Sequence, residues 1–356
     1  MSARTAKTYY HLIFCIVFIA GLISACQVHR PLADTVHATK PVSTGPSPTL
    51  SQEVATMELS GNLIELKGTK GPIYSLAWSP NGRILASAGF AKIRIWDAQS
   101  LQEVRALEDP QSFVWGVTSS ADSSELAAAS QDGLWIWPNI NDKATKKIDD
   151  GSYLCVSFSP DKTLLAAGTP SGKVLIWNIN GDRLSKTIDG TSAVIGIVWS
   201  PNGEQLAAGN QSGQIHLYSV STWEQIDAPS LNSENGQDVN GMAWSPDGKL
   251  LAAARQNGTV LVWDSMADKI LFVLESHKGW ARGLAWSPDG KELASVGQDG
   301  MLKIWEIAQG EIIHDQKISP DPLWSVAWSS DSKRIAVGTG IYDNQNAESS
   351  IWIWSR

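Results

Sequence analysis

One unit of sequence recurs along most of this chain, and such a repeat constrains the fold before any single residue does. The copy from Glu275 to Ile307 contains three short segments of apolar and β-branched residues, each ended by turn residues. We predict a strand for each segment, at 283–287, 292–296 and 301–307. A Ser-Pro-Asp-Gly turn and a Gln-Asp-Gly turn separate them. The unit is therefore a meander of three strands with two tight hairpins.

Two positions, usually aromatic, mark each copy of the unit and indicate how many copies there are. The first marker recurs at intervals of 39 to 45 residues, at Trp78, Ser119, Phe158, Trp199, Trp244, Trp286 and Trp328. The second marker follows 18 or 19 residues later in six copies and 26 later in the last, at Trp96, Trp137, Trp177, Tyr218, Trp263, Trp305 and Trp354. The chain therefore contains seven units.

The second markers carry a resemblance to a known family. Ile95-Trp96-Asp97, Val262-Trp263-Asp264 and Ile304-Trp305-Glu306, which follow turns of the Ser-Pro-Asp-Gly kind, resemble the WD-repeat β-propeller family. The resemblance covers roughly Leu59 to Arg356. It implies an all-β fold, with seven four-stranded antiparallel blades around a central channel, over a domain from 58 to 356. It also implies a noncatalytic role as a platform for protein partners.

The last unit lacks its fourth strand, because Trp354 is followed by only two residues. The segment 59–67 reads as a strand and precedes the first marker of the first unit. We predict that this N-terminal strand pairs with the last strand of the chain and closes the ring. An open ring would leave unpaired sheet edges exposed.

The N-terminal residues have the order of an export signal. Arg4 and Lys7 precede an apolar run from Tyr9 to Ala25. The run ends in Ile23-Ser24-Ala25-Cys26, which is similar to the bacterial lipobox. We therefore expect residues 1–25 to be a lipoprotein signal peptide and Cys26 to be lipidated. The alternative is an uncleaved anchor helix, for which 17 residues is near the lower limit.

The residues between the signal and the repeats have the composition of a linker. Residues 26–57 contain four prolines among Ser, Thr and Ala, with no sustained helical or strand period. We expect the lipidated cysteine and this flexible tether to hold the propeller at a bacterial membrane, outside the cytoplasm. Cys155 would then be the remaining thiol, and its place in an apolar strand is typical of a buried small side chain.

Charge and composition exclude several classes of partner. The formal net charge is −8 and no dense Lys/Arg tract occurs, which argues against nucleic-acid binding. The His residues are scattered rather than spaced as metal-ligand pairs, and no Gly-rich phosphate loop precedes a helix. The sequence therefore predicts no cofactor and no metal site.

One repeat contains the residue types of a hydrolytic triad. His277, Ser295 and Asp299 lie in the sixth unit, but Ser295 is in mid-strand, without the sharp turn that exposes a nucleophile. The resemblance implies instead that these three side chains and Trp305 form a buried hydrogen-bonded network. The other units lack parts of this set, so we expect them to rely on apolar packing.

The resemblance also places the side chains four and six residues before each first marker at the mouth of the channel, on the face that carries the connections between blades. The aromatic ones come from the sixth, seventh, first and second blades, which are neighbours in a closed ring. Insertions at 230–237 and 340–349 emerge on the same face. The predicted partner-binding residues are Tyr74, Phe113, Trp115, Trp280, Arg282, Trp324 and Tyr342.

The sequence thus predicts a monomeric, lipid-anchored WD-repeat scaffold that binds a protein partner through these residues and has no chemistry of its own. Packing at the rim of the channel would account for the same aromatics without a partner. A binder of small molecules or glycans is the alternative function, because stacked Trp and Tyr rings also suit such ligands. A hydrolytic propeller enzyme ranks third.

Overall fold

The computed structural model describes residues 63–107, 109–140, 145–232, 237–341 and 344–356. Within these residues the chain forms seven four-stranded antiparallel sheets and one short 3-10 helix at Pro229–Asn232. The fold class predicted from the repeats, a seven-bladed β-propeller, is confirmed. The predicted signal peptide (1–25), the lipidation site Cys26 and the tether (26–57) lie outside the described residues. No helix in the part that is described combines the length and the hydropathy needed to cross a membrane.

The first three blades follow one another along the chain, with their strands hydrogen-bonded in sequence order. The first strand of the described chain, β1 (Leu63–Lys70), belongs to the seventh blade. Blade 1 consists of β2 (Ser75–Trp78), β3 (Ile84–Ala88), β4 (Ile93–Asp97) and β5 (Glu103–Leu107); blade 2 of β6 (Val114–Ser119), β7 (Leu126–Ser130), β8 (Gly133–Trp137) and β9 (Lys146–Asp149); and blade 3 of β10 (Cys155–Phe158), β11 (Leu164–Gly168), β12 (Val174–Asn178) and β13 (Arg183–Ile188).

The remaining four blades have the same order. Blade 4 consists of β14 (Val194–Trp199), β15 (Gln205–Asn210), β16 (Ile215–Ser219) and β17 (Gln225–Ile226); blade 5 of β18 (Val239–Trp244), β19 (Leu250–Arg255), β20 (Thr259–Asp264) and β21 (Lys269–Glu275); blade 6 of β22 (Ala281–Trp286), β23 (Glu292–Gly297), β24 (Met301–Glu306) and β25 (Glu311–Lys317); and blade 7 of β26 (Leu323–Trp328), β27 (Arg334–Thr339), β28 (Glu348–Ser355) and β1.

The first strands of the blades line the centre of the ring. Each of them contacts the first strand of the next blade, and the circle is complete because β26 of blade 7 also contacts β2 of blade 1. The apolar clusters of the protein lie between neighbouring blades and are built from alternating strand residues. Burial between blades is therefore the main source of stability, as in other closed repeat folds.

The two markers of each blade lie in one row across its first three strands. In blade 6, Trp286 pairs with Leu293, and Leu293 pairs with Trp305. The same row in blade 2 starts with Ser119, which pairs with Leu126, and ends with Trp137. The central Leu side chains are fully buried, so each row forms a layer of the core. The 18- or 19-residue spacing thus follows from two hairpins in constant register.

A polar turn joins the first two strands in all seven blades. A buried serine hydroxyl donates to the Asp or Asn two residues later over 2.6–2.8 Å, and it accepts the N–H of the residue five positions later. These serines are Ser79, Ser120, Ser159, Ser200, Ser245, Ser287 and Ser329. The bonds satisfy the turn's buried polar groups, which is why the Ser-Pro-Asp-Gly pattern recurs.

The predicted closure of the ring is confirmed. Strand β1 pairs antiparallel with β28, with Leu63 opposite Trp354 and Leu66 opposite Ile351. A bulge interrupts the register between Leu66 and Thr69, where Gly68 has φ +96°. The Ser350 hydroxyl also donates to Glu65 over 2.7 Å. Residues 59–62 of the predicted strand lie outside the described residues.

Blade 4 has the shortest outer strand, and part of the first predicted insertion makes up for this. Strand β17 contains two residues, so most of β16 has no strand on its outer side. The Asn232 side chain accepts the N–H of Ile215 over 2.8 Å and donates to its carbonyl over 2.9 Å. Residues 230–232 therefore cover a strand edge, which limits edge-to-edge pairing.

Candidate functional site

The meander of each blade gives the propeller two distinct faces. The connections between blades and the connections between second and third strands lie at one end, which we name the loop face. The turns between first and second strands lie at the other end, which we name the turn face. Contacts between connections agree with this division, because Gly71, between β1 and β2, donates to the carbonyl of Ala347, between β27 and β28, over 2.9 Å.

The loop face carries a continuous group of aromatic side chains and one arginine at the mouth of the channel. We name this group the aromatic arc. It lies at the start of the first strands of blades 6, 7, 1 and 2, which the closed ring makes neighbours. Each member is partly buried, so each presents part of its surface to solvent. The arc consists of Tyr74, Phe113, Trp115, Trp280, Arg282 and Trp324.

The rings of the arc contact one another in sequence. Phe113 and Trp115 are stacked, with ring centroids 5.2 Å apart and planes 14° apart. Tyr74 lies 4.7 Å from Trp115 and 5.1 Å from Trp324, and it meets Trp324 edge to face at 85°. These distances and angles are typical of favourable aromatic pairs. The rings therefore hold each other in place before any ligand binds.

Arg282 joins the two tryptophans at the other end of the arc. Its guanidinium carbon lies 3.6 Å from the ring centroid of Trp324 and 4.7 Å from that of Trp280. Such contacts between a cation and an aromatic face are attractive. The Trp324 indole N–H also donates to the carbonyl of Gly340 over 2.8 Å, which ties the arc to the connection between β27 and β28.

Sequence reasoning missed one aromatic residue next to the arc. Phe90, in the connection between β3 and β4, lies 5.0 Å from Phe113 ring to ring and forms an isolated β-bridge with it. The sequence could have placed Phe90 on this face, because it lies in a connection between second and third strands, and these connections emerge on the same face as the arc. Tyr342, the seventh predicted member, lies outside the described residues.

The opposite side of the same mouth is different in chemistry. The equivalent positions of blades 3, 4 and 5 hold small, aliphatic or polar side chains: Ser152, Leu154, Ala193, Ile195, Asp238 and Asn240. Burial raises the pKa of the Asp238 carboxyl. At these positions aromatic surface is therefore confined to one side of the mouth, so a partner that binds aromatic surface would dock on that side.

The structure brings the four residues of the predicted network together in blade 6. His277 Nδ1 lies 2.9 Å from Asp299, and His277 Nε2 lies 3.0 Å from the Ser295 hydroxyl. The Trp305 indole N–H donates to the same hydroxyl over 3.1 Å. Asp299 also accepts backbone N–H groups from Lys278 and Met301, and these bonds link the strands β23 and β24 to the connection before β22.

The same residues are poorly placed to act as a hydrolytic triad. Ser295 is 0% exposed, and the side chain of His277 is also 0% exposed. Burial is the largest influence on the Asp299 carboxyl and opposes ionisation, yet the hydrogen bond from His277 and the backbone donors lower its pKa overall. A nucleophile needs access to substrate, and Ser295 has none.

The expectation that the other blades rely on apolar packing needs a correction. In blade 1 the Trp96 indole donates to the Ser87 hydroxyl over 2.9 Å. In blade 5 the Trp263 indole donates to Ser230 and Asp268 over 2.9 and 3.1 Å. Ser87 occupies the same register as Ser295, whereas Ser230 and Asp268 come from outside the expected positions, and in both blades the indole is satisfied without the full set of four residues. The indole nitrogen of Trp137, by contrast, meets no hydrogen-bond acceptor among the described residues.

Cys155 is the free cysteine of the described residues. Cys155 is buried, and desolvation raises the pKa of its thiol to about 12, which keeps it protonated and unreactive. Across the described ranges, no three His, Cys, Asp or Glu side chains lie close enough together to hold a metal ion.

Comparison with known proteins agrees with this geometry. A sequence profile described as "WDR19 first beta-propeller" matches residues 154–322, and one described as "WD domain, G-beta repeat" matches residues 61–97. WD-repeat propellers generally bind protein partners.

Individual relatives match over part of their length. The meiotic recombination protein rec14 of Schizosaccharomyces pombe is 28% identical over 43% of this chain and 53% of its own length. Transcription initiation factor TFIID subunit 5 of Caenorhabditis elegans is 20% identical over 52% of this chain and 29% of its own. Protein FIZZY-RELATED 2 of Arabidopsis thaliana is 26% identical over 45% and 36%. The chain thus spans about half or less of these relatives. Together with the seven closed blades, the matches support a WD-repeat β-propeller family for this chain.

Proposed function

We propose that this protein is a membrane-anchored, extracytoplasmic scaffold that binds a protein partner on the loop face through the aromatic arc. The observation that carries the proposal is the continuous contact from Phe113 through Trp115, Tyr74 and Trp324 to Arg282 at one side of the channel mouth. Trp, Tyr and Arg are the side chains most enriched at interface hot spots.

The geometry of the arc favours binding in a second way. Association costs free energy when side chains must be ordered at the interface. Here the rings and the guanidinium already restrain one another, and Trp324 is further held by Gly340. Little rotamer freedom remains to be lost, so a partner gains more of the contact energy as affinity.

A double substitution tests the partner site. We expect the Trp280→Ala plus Trp324→Ala variant to lose at least one neighbour that the unaltered protein retains after cross-linking in intact cells. Leu271→Ala plus Val273→Ala is the matched control, because both of its residues are exposed apolar side chains on the outer strand β21. If the arc variant keeps every cross-linked neighbour, the arc is not the interface.

A second candidate function is the binding of a glycan or small molecule at the same arc. The stacked pair of Phe113 and Trp115 supports it, since a flat, partly exposed aromatic face suits a sugar ring. Saturable binding on a glycan array, lost in Trp115→Ala, would favour this function over a protein partner.

The anchored location rests on the N-terminal sequence. The order of basic residues, apolar run and Ile23-Ser24-Ala25-Cys26 supports lipidation of Cys26. The tether that we propose for residues 26–57 would, as a flexible chain of about 30 residues, span on the order of 30 Å. We expect a monomer, because β1 completes blade 7 within the same chain.

Fractionation of cells tests the anchor. We expect Cys26→Ala to move the protein from the membrane pellet to the supernatant, and mass spectrometry of the unaltered protein to find an acylated N-terminal cysteine. Cys15→Ala is the matched control, because that cysteine lies inside the predicted signal peptide. An unmodified Cys26 in the mature protein would contradict lipidation.

A further inference from the structure

The mouth of the channel on the turn face contains a pocket of about 340 Å³. It lies between the ends of the first strands of blades 2 to 5, at the opposite end of these strands from the aromatic arc. Its size is at the lower end of the range for small-molecule sites. The residues that shape it are Ser119, Phe158, Trp199, Met242 and Trp244, with Pro160 and Pro201 at the turns.

The pocket lies where the series of first markers is interrupted. In three blades the indole of the first marker donates to a carbonyl of the preceding blade: Trp78 to Ala327 over 3.1 Å, Trp199 to Ser157 over 3.0 Å, and Trp286 to Ala243 over 3.0 Å. These indoles bridge adjacent blades at the turn face.

Four blades do not have this bridge. In blades 5 and 7 the indole nitrogens of Trp244 and Trp328 meet no acceptor among the described residues, and in blades 2 and 3 the indole itself is absent. Blade 2 has Ser119 at the same register, opposite Leu126, and blade 3 has Phe158, opposite Leu165. A serine fills far less space than an indole, and phenylalanine has no N–H to donate. Both residues line the pocket. The gap in the repeat pattern and the recess in the surface therefore coincide.

The residues that line the pocket favour an uncharged, aromatic ligand. None of the residues that line the pocket is charged, so there is no partner for a phosphate or a carboxylate. The walls are the rings of Phe158, Trp199 and Trp244 and the side chain of Met242. Aromatic rings pack well on such surfaces, and a polarizable methionine adapts to them.

The polar groups of the pocket are few and neutral. Ser119 has a hydroxyl whose contact with the Ser120 carbonyl is long, at 3.4 Å, so a ligand can compete for it. The three rings are 6–8% exposed, and they therefore line a recess rather than a flat surface. An inserted ring would cover them better than a flat partner.

We propose that this pocket binds a small, neutral aromatic molecule of one or two fused rings. The ring would lie against Phe158, Trp199, Trp244 and Met242, with a hydrogen-bonding group near Ser119. This site is separate from the aromatic arc and does not depend on the function proposed for it.

Methyl NMR of methionine-labelled protein tests the proposal with indole as the probe. Met242 lines the pocket, whereas Met266 is 84% exposed and serves as an internal control. We expect indole to shift the Met242 methyl signal saturably, with a Kd on the order of 1 mM for a fragment of this size, and to leave Met266 unchanged. Absence of a Met242 shift, or an equal shift at Met266, would overturn the site.

Substitutions that restore the repeat pattern provide the second arm. We expect Phe158→Trp, and Ser119→Trp in a separate variant, to weaken indole binding at least tenfold, because five other blades carry Trp at this register and tolerate it. Since either variant alone is informative, failure of one to fold leaves the other. If every one of these variants that folds binds indole as tightly as the unaltered protein, the proposal is wrong.

A comparison of two probes distinguishes a free small molecule from an aromatic side chain of a partner protein. N-acetyltryptophanamide represents a tryptophan side chain within a protein. Tighter binding of free indole, by tenfold or more, indicates a free small molecule. Comparable or tighter binding of the amide indicates an inserted side chain of a partner, which shares the aromatic chemistry but overturns the small-molecule assignment.

Discussion

Ser295 shows how one small residue can organise a whole blade. Its buried hydroxyl meets Ser276 at 2.7 Å, His277 at 3.0 Å and Trp305 at 3.1 Å. Each of these groups would be an unsatisfied polar group in the core without it, and such groups cost more than the hydrogen bond itself contributes. The apparent triad is thus a structural device of the sixth blade.

We predict that Ser295→Ala lowers the free energy of unfolding by about 2 to 4 kcal/mol, because it leaves an indole and an imidazole nitrogen without their shared partner. Ser87→Ala is the matched control. Ser87 is also buried in the second strand of its blade, and it accepts one indole N–H, from Trp96. We expect it to cost about 1 to 2 kcal/mol. Urea unfolding of both variants checks the difference, and equal losses would contradict the network.

At the scale of the element, the turns between first and second strands make the fold sensitive to acid. In Asp161, Asp247 and Asp289 the hydrogen bond from the preceding serine hydroxyl, followed by backbone N–H groups, lowers the pKa of the carboxyl. A lowered pKa in the folded protein means that the ionised turn stabilises the fold above the ordinary Asp pKa of about 4. That contribution is lost as the pH falls through the lower, folded pKa.

We therefore predict that the midpoint of urea unfolding falls steeply as the pH drops below about 4. The chain offers its own control, because blades 1 and 4 carry Asn81 and Asn202 in the same turn and keep the bond from serine. The triple variant Asp161→Asn, Asp247→Asn, Asp289→Asn should keep the turn geometry but show a shallower dependence on pH. An unchanged pH profile would show that other carboxyls dominate acid unfolding.

The closing strand β1 is the element on which the ring depends. Leu66 is buried at the seam between blades 7 and 1, while Ile64, two residues earlier, is 43% exposed. We predict that Leu66→Ala lowers the free energy of unfolding by about 2 to 4 kcal/mol through the cavity it leaves. Ile64→Ala, on the same strand, should cost less than about 1 kcal/mol. Comparable losses in the two variants, measured by urea unfolding, would contradict the importance of the seam.

On the scale of the whole molecule, the propeller presents two mouths of different character. The loop face carries the aromatic arc with a cation, whereas the turn face carries an uncharged recess. They lie at opposite ends of first strands of up to six residues, about 20 Å apart. Sites at such a distance, without shared contacts, usually behave independently.

We predict that the two sites respond separately to substitution. Trp280→Ala plus Trp324→Ala should leave the indole-induced shift of Met242 unchanged within about twofold. Conversely, Phe158→Trp should leave the cross-linked neighbours of the loop face unchanged. If either variant loses both indole binding and the cross-linked neighbours, the two sites are coupled and the prediction is wrong.

Much of the fold could be predicted, because its signals are local and repeated. The spacing from Trp286 to Trp305 predicts two hairpins in fixed register, and both residues pair with Leu293 as that register requires. The strand character of the segment before Lys67, in a chain whose last unit lacks a strand, predicts that this segment pairs with the last strand, and the structure sets the register, with Leu66 opposite Ile351. The neighbourhood of Tyr74 and Trp324 follows once the ring is closed.

The contacts that give each mouth its chemistry depend on tertiary structure. Whether Arg282 lies over Trp324 and whether Phe90 meets Phe113 are decided by side-chain rotamers and by the approach of distant loops. The serine at 119 is a simple departure from a repeat in the sequence, and it becomes part of a pocket because four blades converge there.

The sequence by itself determined the number of blades, the register within them and the strand that closes the ring. These features arise from alternation, turn chemistry and period, which act between residues close in the chain or repeated at a constant interval. Tertiary structure alone decided how the side chains at the two mouths pack, because those contacts join residues from different blades. Their energies depend on distances and angles that no spacing along the chain specifies.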